Sequence, residues 1–230
     1  MSKTIVVVGF GPGISNAVAE KFGKQGFTVA LVARNEEYLA AGVAALKAKG
    51  ISAASFAADA GNPDSVRDAI SKVRGKLGPV TVIHWNAIGG DQARDLLAAE
   101  PAVLRGVFDV AIFGLLAAVR EALPDLKGGG AILVTNGAFG DDTPFMDEMA
   151  INLKSMGVAL ANAAKRKLVG LLAQQLRGDN VYVGEVTVAG SVKGTPWGND
   201  SSIDPATIAD KFWELYEGRG ENRGRVAQLF

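Results

Sequence analysis

Residues 4–35 read TIVVVGFGPGISNAVAEKFGKQGFTVALVARN. The β-branched run from Thr4 to Val8 predicts a buried parallel strand, and the glycines Gly9, Gly11 and Gly13 that follow predict a tight turn. Ala17, Val18, Phe22 and Gly26 then recur at helical spacing. Ser15 stands where an N-cap or first-turn hydroxyl belongs, and Gly26 where a helix-ending glycine does. Thr28 to Ala33 is apolar again, so the stretch closes as a strand–helix–strand unit of about thirty residues, the size of one mononucleotide-binding half.

Such a turn binds rather than reacts. Glycine lets the backbone take positive φ and lets a pyrophosphate come within hydrogen-bonding distance, while the free N–H groups and partial positive charge at the helix start hold the anion. A turn that is glycine-rich for packing alone is the competing reading, and a glycine string by itself does not separate the two. The strand before, the helix after and a second strand at the right distance favour dinucleotide binding.

Beyond Asn35 the alternation continues. Glu36 to Lys49 predicts an alanine-rich helix closed by Gly50, and Ser52 to Ala58 a third strand ending at Asp59. A helix from Asn62 or Pro63 to Leu77 stops at Gly78-Pro79, and Val80 to Trp85 forms a fourth strand leading into Asn86-Ala87-Ile88-Gly89-Gly90. Pro101 to Leu123 reads as a longer helix, followed by three glycines (Gly128 to Gly130) and a fifth strand from Ala131 to Thr135. After a loop from Asn136 to Pro144, one long helix is expected to start between Met146 and Asn152 and to run to Leu176. Val181 to Val188 gives a sixth strand, Ala189 to Ser202 a loop containing Gly190, Pro205 to Tyr216 a helix capped by Asp204, and Arg225 to Leu229 a short seventh strand. Strands alternating with helices predict the α/β class: a single-domain, doubly wound parallel sheet of about seven strands with helices on both faces. Ligands of such sheets sit at the carboxyl ends of the strands, so Gly9 to Gly13, Arg34, Asp59, Asn86, Asn136 and Gly190 are expected to line one cleft.

Composition bounds the partners. The 230 residues suffice for one well-buried α/β domain, and no shift in composition marks a second. Lys and Arg total 24 against 24 Asp and Glu, which gives no basic excess for nucleic acid or an anionic membrane and points to small molecules. With no cysteine and a single histidine, His84, neither a disulfide framework nor a thiolate or multi-histidine metal site is expected. No cationic leader with an apolar core opens the chain and no long apolar run is expected after it, so the chain reads as cytoplasmic.

These residues resemble the short-chain dehydrogenase/reductase superfamily over essentially the full length. The family's Thr-Gly-x-x-x-Gly-x-Gly turn is similar to Val8-Gly9-Phe10-Gly11-Pro12-Gly13-Ile14-Ser15, with Val for Thr and Ser for the last Gly. The strand end Val32-Ala33-Arg34-Asn35 is similar to members that prefer NADP: they carry Arg near that point, whereas NAD-preferring members place an acidic residue just before it, where Ala33 stands. A guanidinium at Arg34 pairs well with a 2′-phosphate, and no carboxylate repels it, so NADP is expected over NAD; the competing reading of Arg34 is a solvated charge leading into a helix. The resemblance implies that Asp59 and Ala60 meet the adenine, that Asn86 and Ala87 belong to the family's Asn-Asn-Ala-Gly turn, and that Gly190 opens the loop beside the nicotinamide. Asp59 reads equally as a helix cap. Together the resemblance implies a Rossmann-like fold, a cofactor site of Gly9, Phe10, Gly11, Gly13, Ile14, Ser15, Arg34, Asn35, Asp59, Ala60, Asn86, Ala87 and Gly190, and the family's usual homodimers or homotetramers.

The family's catalytic groups find no counterpart. Its members move a hydride with a Tyr-x-x-x-Lys pair as acid and base and a Ser, often with an Asn, to orient the substrate oxygen. None of Tyr38, Tyr182 and Tyr216 begins such a pair, and two registers place the missing tyrosine at Ala150 before Lys154 or at Ala161 before Lys165. The serine position falls on Gly137 and the asparagine position near Ala111. Thr135, Asn136, Asp141, Asp142, Lys154 and Lys165 remain as polar groups near the expected cleft, with the adjacent acids Asp141 and Asp142 reading first as solvated turn residues and the catalytic group left unidentified. His84, near the end of a strand, either faces the cleft or packs beneath a helix. The expected function is an NADP-dependent oxidoreductase acting on a carbonyl or activated alkene with a non-standard active site; the alternative is an inactive dinucleotide-binding sensor or interaction module.

Overall fold

The computed structural model describes residues 3–89, 93–196, 198–200, 202–220 and 226–229. Its strands are β1 (Lys3–Val8), β2 (Phe27–Ala33), β3 (Ala53–Ala57), β4 (Val80–Trp85), β5 (Ala131–Gly137), β6 (Tyr182–Val188) and β7 (Val226–Leu229). All pair in parallel in one sheet, in the order β3-β2-β1-β4-β5-β6-β7. The order reverses between β1 and β4, which leaves a crevice at their carboxyl ends. The helices are α1 (Ile14–Lys24), α2 (Glu36–Ala48), α3 (Pro63–Leu77), α4 (Pro101–Phe108), α5 (Leu115–Leu126), α6 (Pro144–Asn152), α7 (Met156–Gln175) and α8 (Pro205–Glu217). Predicted residues Gly90 and Arg225 lie outside the described residues.

Alternation along the strands builds a core layer on each face. Ile5, Val7, Val29 and Leu31 pack with Phe22 of α1 and Phe212 of α8, while Val6, Val8, Val32 and Trp85 pack with Ile70 of α3 and Leu115 of α5. Local chemistry sets the helix ends. Asn62 caps α3, accepting the N–H groups of Asp64 and Ser65, and Pro63 fills the first turn, where no donor is needed. Asp204 caps α8 in the same way through Ala206, and Gly26 and Gly50 follow α1 and α2 at positive φ.

Two expectations about helices need correction. The single long helix expected after β5 is a 3-10 turn (Ala138–Gly140) followed by α6 and α7. Thr143 caps α6 ahead of Pro144, and the chain breaks at Lys154, whose φ of 50° cannot continue a right-handed helix. Phe145 and Ile151, apolar residues of α6, face outward. The second correction concerns Pro101–Leu126. It is one helical run interrupted by a π segment (Asp109–Gly114), and its hydropathy of 2.0 over an 18-residue window is high enough to cross a membrane, contrary to the expectation that no such run exists. In this fold its α5 half packs against α3 and β4.

Gly114 closes the π segment directly beneath the turn after β3. A Cβ added there would overlap the Ala60 carbonyl oxygen and stand 3.0 Å from the Trp85 ring. The helix and the turn therefore meet backbone to backbone.

Candidate active site

The carboxyl ends of β1 and β4 touch through Gly9. Its φ is 81°, and a Cβ built on it would stand 2.5 Å from the Ala87 backbone, so only glycine fits. The N–H groups of Gly9 and Phe10 donate to Val32 O at 2.9 and 3.1 Å, and Asn86 N–H donates to Val8 O at 2.9 Å. Ser15, fully buried, accepts the Gly11 N–H at 2.9 Å and donates to Gly11 O at 3.0 Å. It is thus a first-turn hydroxyl that ties the loop to the helix. Gly13 holds the cap position of α1 at φ 88° with no side-chain cap, whereas Asn35, Asn62, Thr143 and Asp204 cap α2, α3, α6 and α8. The first N–H groups of α1, from Ile14 onward, are left for an anion.

Around this turn the other candidates fall at the same edge of the sheet. Phe10 is half-buried with its ring over Gly42 of α2. Arg34, at the end of β2, is exposed and has no hydrogen bond or ion pair among the described residues, while Asn35 accepts the Tyr38 N–H at 2.9 Å as the cap of α2. Asp59 is also exposed and accepts the Gly61 N–H at 2.9 Å, so it closes its own turn rather than capping α3. The half-buried Asn86 donates to Gly9 O at 3.4 Å, Ala87 is buried, and Gly190 lies beside Ile203 at the end of β6.

The inner face of α7 meets β5 and β6 and carries Ala161, Asn162 and Lys165, all buried. Lys165 therefore points inward, whereas Lys154 is exposed in the turn before α7. Ala161 belongs to a small apolar cluster with Ala93, Val107 and Ala111, and Gly157 N–H donates to Ala93 O at 2.8 Å, fastening the chain after β4 to the start of α7. Gly137 ends β5 against Asn162; a Cβ there would lie 2.6 Å from the Asn162 amide nitrogen.

Behind these residues lies a polar network that sequence reading did not single out. Glu185, fully buried on β6, accepts from Arg166 Nε at 3.2 Å, Thr187 Oγ1 at 3.3 Å and Asn136 Nδ2 at 3.4 Å. Asn136 also donates to Asn162 O at 3.1 Å. Arg166 additionally pairs with Asp141, which is thus an anchor of the chain after β5 and not a solvated turn acid; Asp142 is exposed. A charge in the middle of the apolar strand Val181 to Val188 was the available signal, because such a charge is buried only when paired. Lys165 is 4% exposed and makes no hydrogen bond among the described residues. Burial pulls its ammonium down to about 8, with Glu185 acting in the opposite sense.

His84 and Thr135 face away from this network, toward α8. The His84 ring meets Phe212 edge-on at 4.6 Å, Nε2 lies 3.1 Å from Thr135 Oγ1, and Nδ1 has no partner among the described residues. Burial pushes the imidazole down to about 3, so it is neutral near pH 7. Cavities of about 570 and 510 Å3 lie at the amino ends of β5 and β6 and on the outer side of α7, and neither touches the glycine turn.

Residues 3–200 match the family model described as short chain dehydrogenase. A short-chain dehydrogenase/reductase, SDRA, of Arabidopsis thaliana is 26% identical over 135 residues, 58% of this chain and 53% of that protein. The tropinone reductase-like 3 of Erythroxylum coca is 24% identical over 62% of this chain and 55% of that protein. The chain thus spans about half the length of the curated relatives it matches. Among solved structures, an alcohol dehydrogenase from Thermococcus sibiricus complexed with 5-hydroxy-NADP superposes with a TM-score of 0.85 at 22% identity, covering 100% of this chain and 96% of that one. The L-sorbose reductase of Gluconobacter frateurii, complexed with NADPH and L-sorbose, gives 0.84 at 21% identity over 99% of this chain and 95% of that one.

Proposed function

The chain belongs to the short-chain dehydrogenase family, and on that premise we propose that it binds NADP(H) in the crevice between β1 and β4 and reduces a carbonyl or activated alkene there. One observation carries the reading: the uncapped start of α1 behind the glycine turn stands at the same sheet edge as Arg34, an exposed guanidinium with nothing paired to it among the described residues. The helix start suits the pyrophosphate, and the fork of Arg34 suits a 2′-phosphate, which NAD lacks. In this reading Asp59 and Ala60 meet the adenine, Asn86, Ala87 and Gly190 the nicotinamide side, and Lys165 the ribose hydroxyls. Bound NADPH supplies the hydride.

The protein-side groups orient and enclose. The buried inner face of α7 carries no tyrosine: Tyr38 is on α2, Tyr216 lies in the α8 core layer, and Tyr182 starts β6 beside the last turns of α7, at the opposite end of the sheet from the glycine turn. Loss of general acid help costs typically about 10²–10⁴-fold in rate, which slows hydride transfer without forbidding it. A second reading, a dinucleotide-binding sensor without turnover, is favoured by the apolar cluster of Ala93, Val107, Ala111 and Ala161, which puts methyl groups where the resemblance would put hydroxyl and amide groups.

A thermal melt with NADPH, beside NADH and the variant Arg34→Ala, tests the cofactor site. Ligand at a hundred times its Kd adds about 2.7 kcal/mol, a rise of roughly 5–10 °C for a chain of this size. The expected pattern is a full rise with NADPH, a smaller one with NADH, and loss of the difference in the variant. No rise with either nucleotide would remove the cofactor reading. The proposal extends to a homodimer or homotetramer, supported by the exposed Phe113, Leu160 and Leu171 on the π segment and α7; a monomer mass in sedimentation equilibrium would count against it.

A further inference from the structure

Lys165 is the one charged group on the inner face of α7 without a hydrogen bond among the described residues, and this is unusual chemistry. An ammonium carries three donors, and Nζ is not among the fully sealed polar atoms, so the stem of Lys165 is buried while its tip stays open to an acceptor from the cleft. Glu185, the charge that acts on it, makes no hydrogen bond to it and is engaged elsewhere. Oε1 of Glu185 accepts from Arg166 and Thr187, and Oε2 from Asn136. Other charged groups on the elements packed around α7 are Arg105 on α4, Asp109 on the π segment, Asp141 after the 3-10 turn, and Asp147 and Glu148 on α6; among all of these and Glu185, only Glu185 acts on Lys165. One turn earlier on the same face stands the methyl group of Ala161, and across from it the bare backbone of Gly137.

We propose that Lys165 is itself the proton donor of the reduction, passing a proton from its ammonium to the substrate oxygen. The proposal rests on the NADP(H) oxidoreductase reading above. In the step, the carbonyl carbon gains a hydride from the reduced nicotinamide dinucleotide, and the C=O π pair moves to oxygen. Oxygen bonds the proton released from Nζ, and the N–H electrons remain on nitrogen. The products are an alcohol, the oxidised dinucleotide and a neutral amine, which takes a proton back from water. The lowered proton affinity of the buried amine suits this exchange near neutral pH, since the most effective acids titrate close to the working pH.

Two measurements on the NADP-bound protein decide it. The first is an NMR titration of 13C-lysine-labelled protein, with Lys165 assigned by its absence in Lys165→Met. A resonance titrating near pH 8 is expected; a Lys165 that titrates above pH 10 overturns the proposal. The second is reduction of 2,3-butanedione and 4-nitrobenzaldehyde by NADPH in the wild type and in Lys165→Arg. Arginine keeps the positive charge and donors toward ribose but gives up no proton in this range. Expected is a fall in kcat of about 10²-fold or more with the NADPH-induced melting shift retained, and a wild-type kcat that declines above pH 8. Retention of the rate in the arginine variant, or no reduction of either carbonyl by wild type that binds NADPH, overturns the proposal. Absence of the melting shift in wild type would instead mark failure of the cofactor reading.

Discussion

Gly114→Ala is expected to lower the melting temperature by roughly 6–12 °C. The added methyl group has no room, because its position overlaps the Ala60 carbonyl oxygen and crowds the Trp85 ring, and neither partner is a flexible side chain end. Overpacking a site walled by backbone costs up to about 3 kcal/mol, and a chain of this size loses about 2–4 °C per kcal/mol. The same substitution at Gly106, eight residues earlier on the same helical run, meets nothing within 4 Å and should be neutral or mildly stabilising, because alanine is the better helix former. The pair separates close packing from helix propensity. Equal melting temperatures for the two variants would show that the π segment does not lie against the turn after β3. Because that turn carries Asp59, the Gly114 variant should also lose part of its response to NADPH.

A second large effect comes from acid. His84 is neutral and buried, and its proton affinity in the fold is about 3 against about 6.5 in the unfolded chain. Between these values the unfolded chain holds a proton that the folded one does not, so stability rises with pH across this window and is lost as pH falls from about 6.5 toward 3. The full effect is on the order of 4–5 kcal/mol, and about 3 kcal/mol of it is gone by pH 4. Urea unfolding at pH 7, 5 and 4 on wild type and His84→Leu checks it. Carboxylates contribute equally to both proteins, so the leucine variant should lose stability less steeply. Parallel slopes would mean that the His84 ring reaches solvent.

The sheet was legible because its strands are apolar runs separated by glycine, proline and capping residues at the spacing that parallel crossovers demand. Asn62, Asp204, Gly26 and Gly50 all act where their chemistry places them. The middle of the site was less so. His84 and Trp85 are neighbours on β4, and which of them faces α8 depends on a register that period-two alternation leaves free. Lys154 and Lys165 both sit in helical sequence; only the break at Lys154 turns one outward and leaves the other buried. That break is hidden in the sequence because α6 exposes apolar residues that mimic the buried stripe of a longer helix. The partnership of Glu185 with Arg166 and Asp141 joins three segments through tertiary contact, which no local pattern encodes.

The hydroxyl of Ser15, closed on both the N–H and the carbonyl of Gly11, has a thermodynamic consequence. A glycine-rich loop ordinarily samples many conformations, and a ligand that selects one of them must oppose that entropy. Here the fold has already restricted the loop, so its ordering belongs to the free energy of folding and not to that of association. Nucleotide binding at this turn should then approach rigid-body docking, with on-rates limited by encounter and orientation rather than by loop closure.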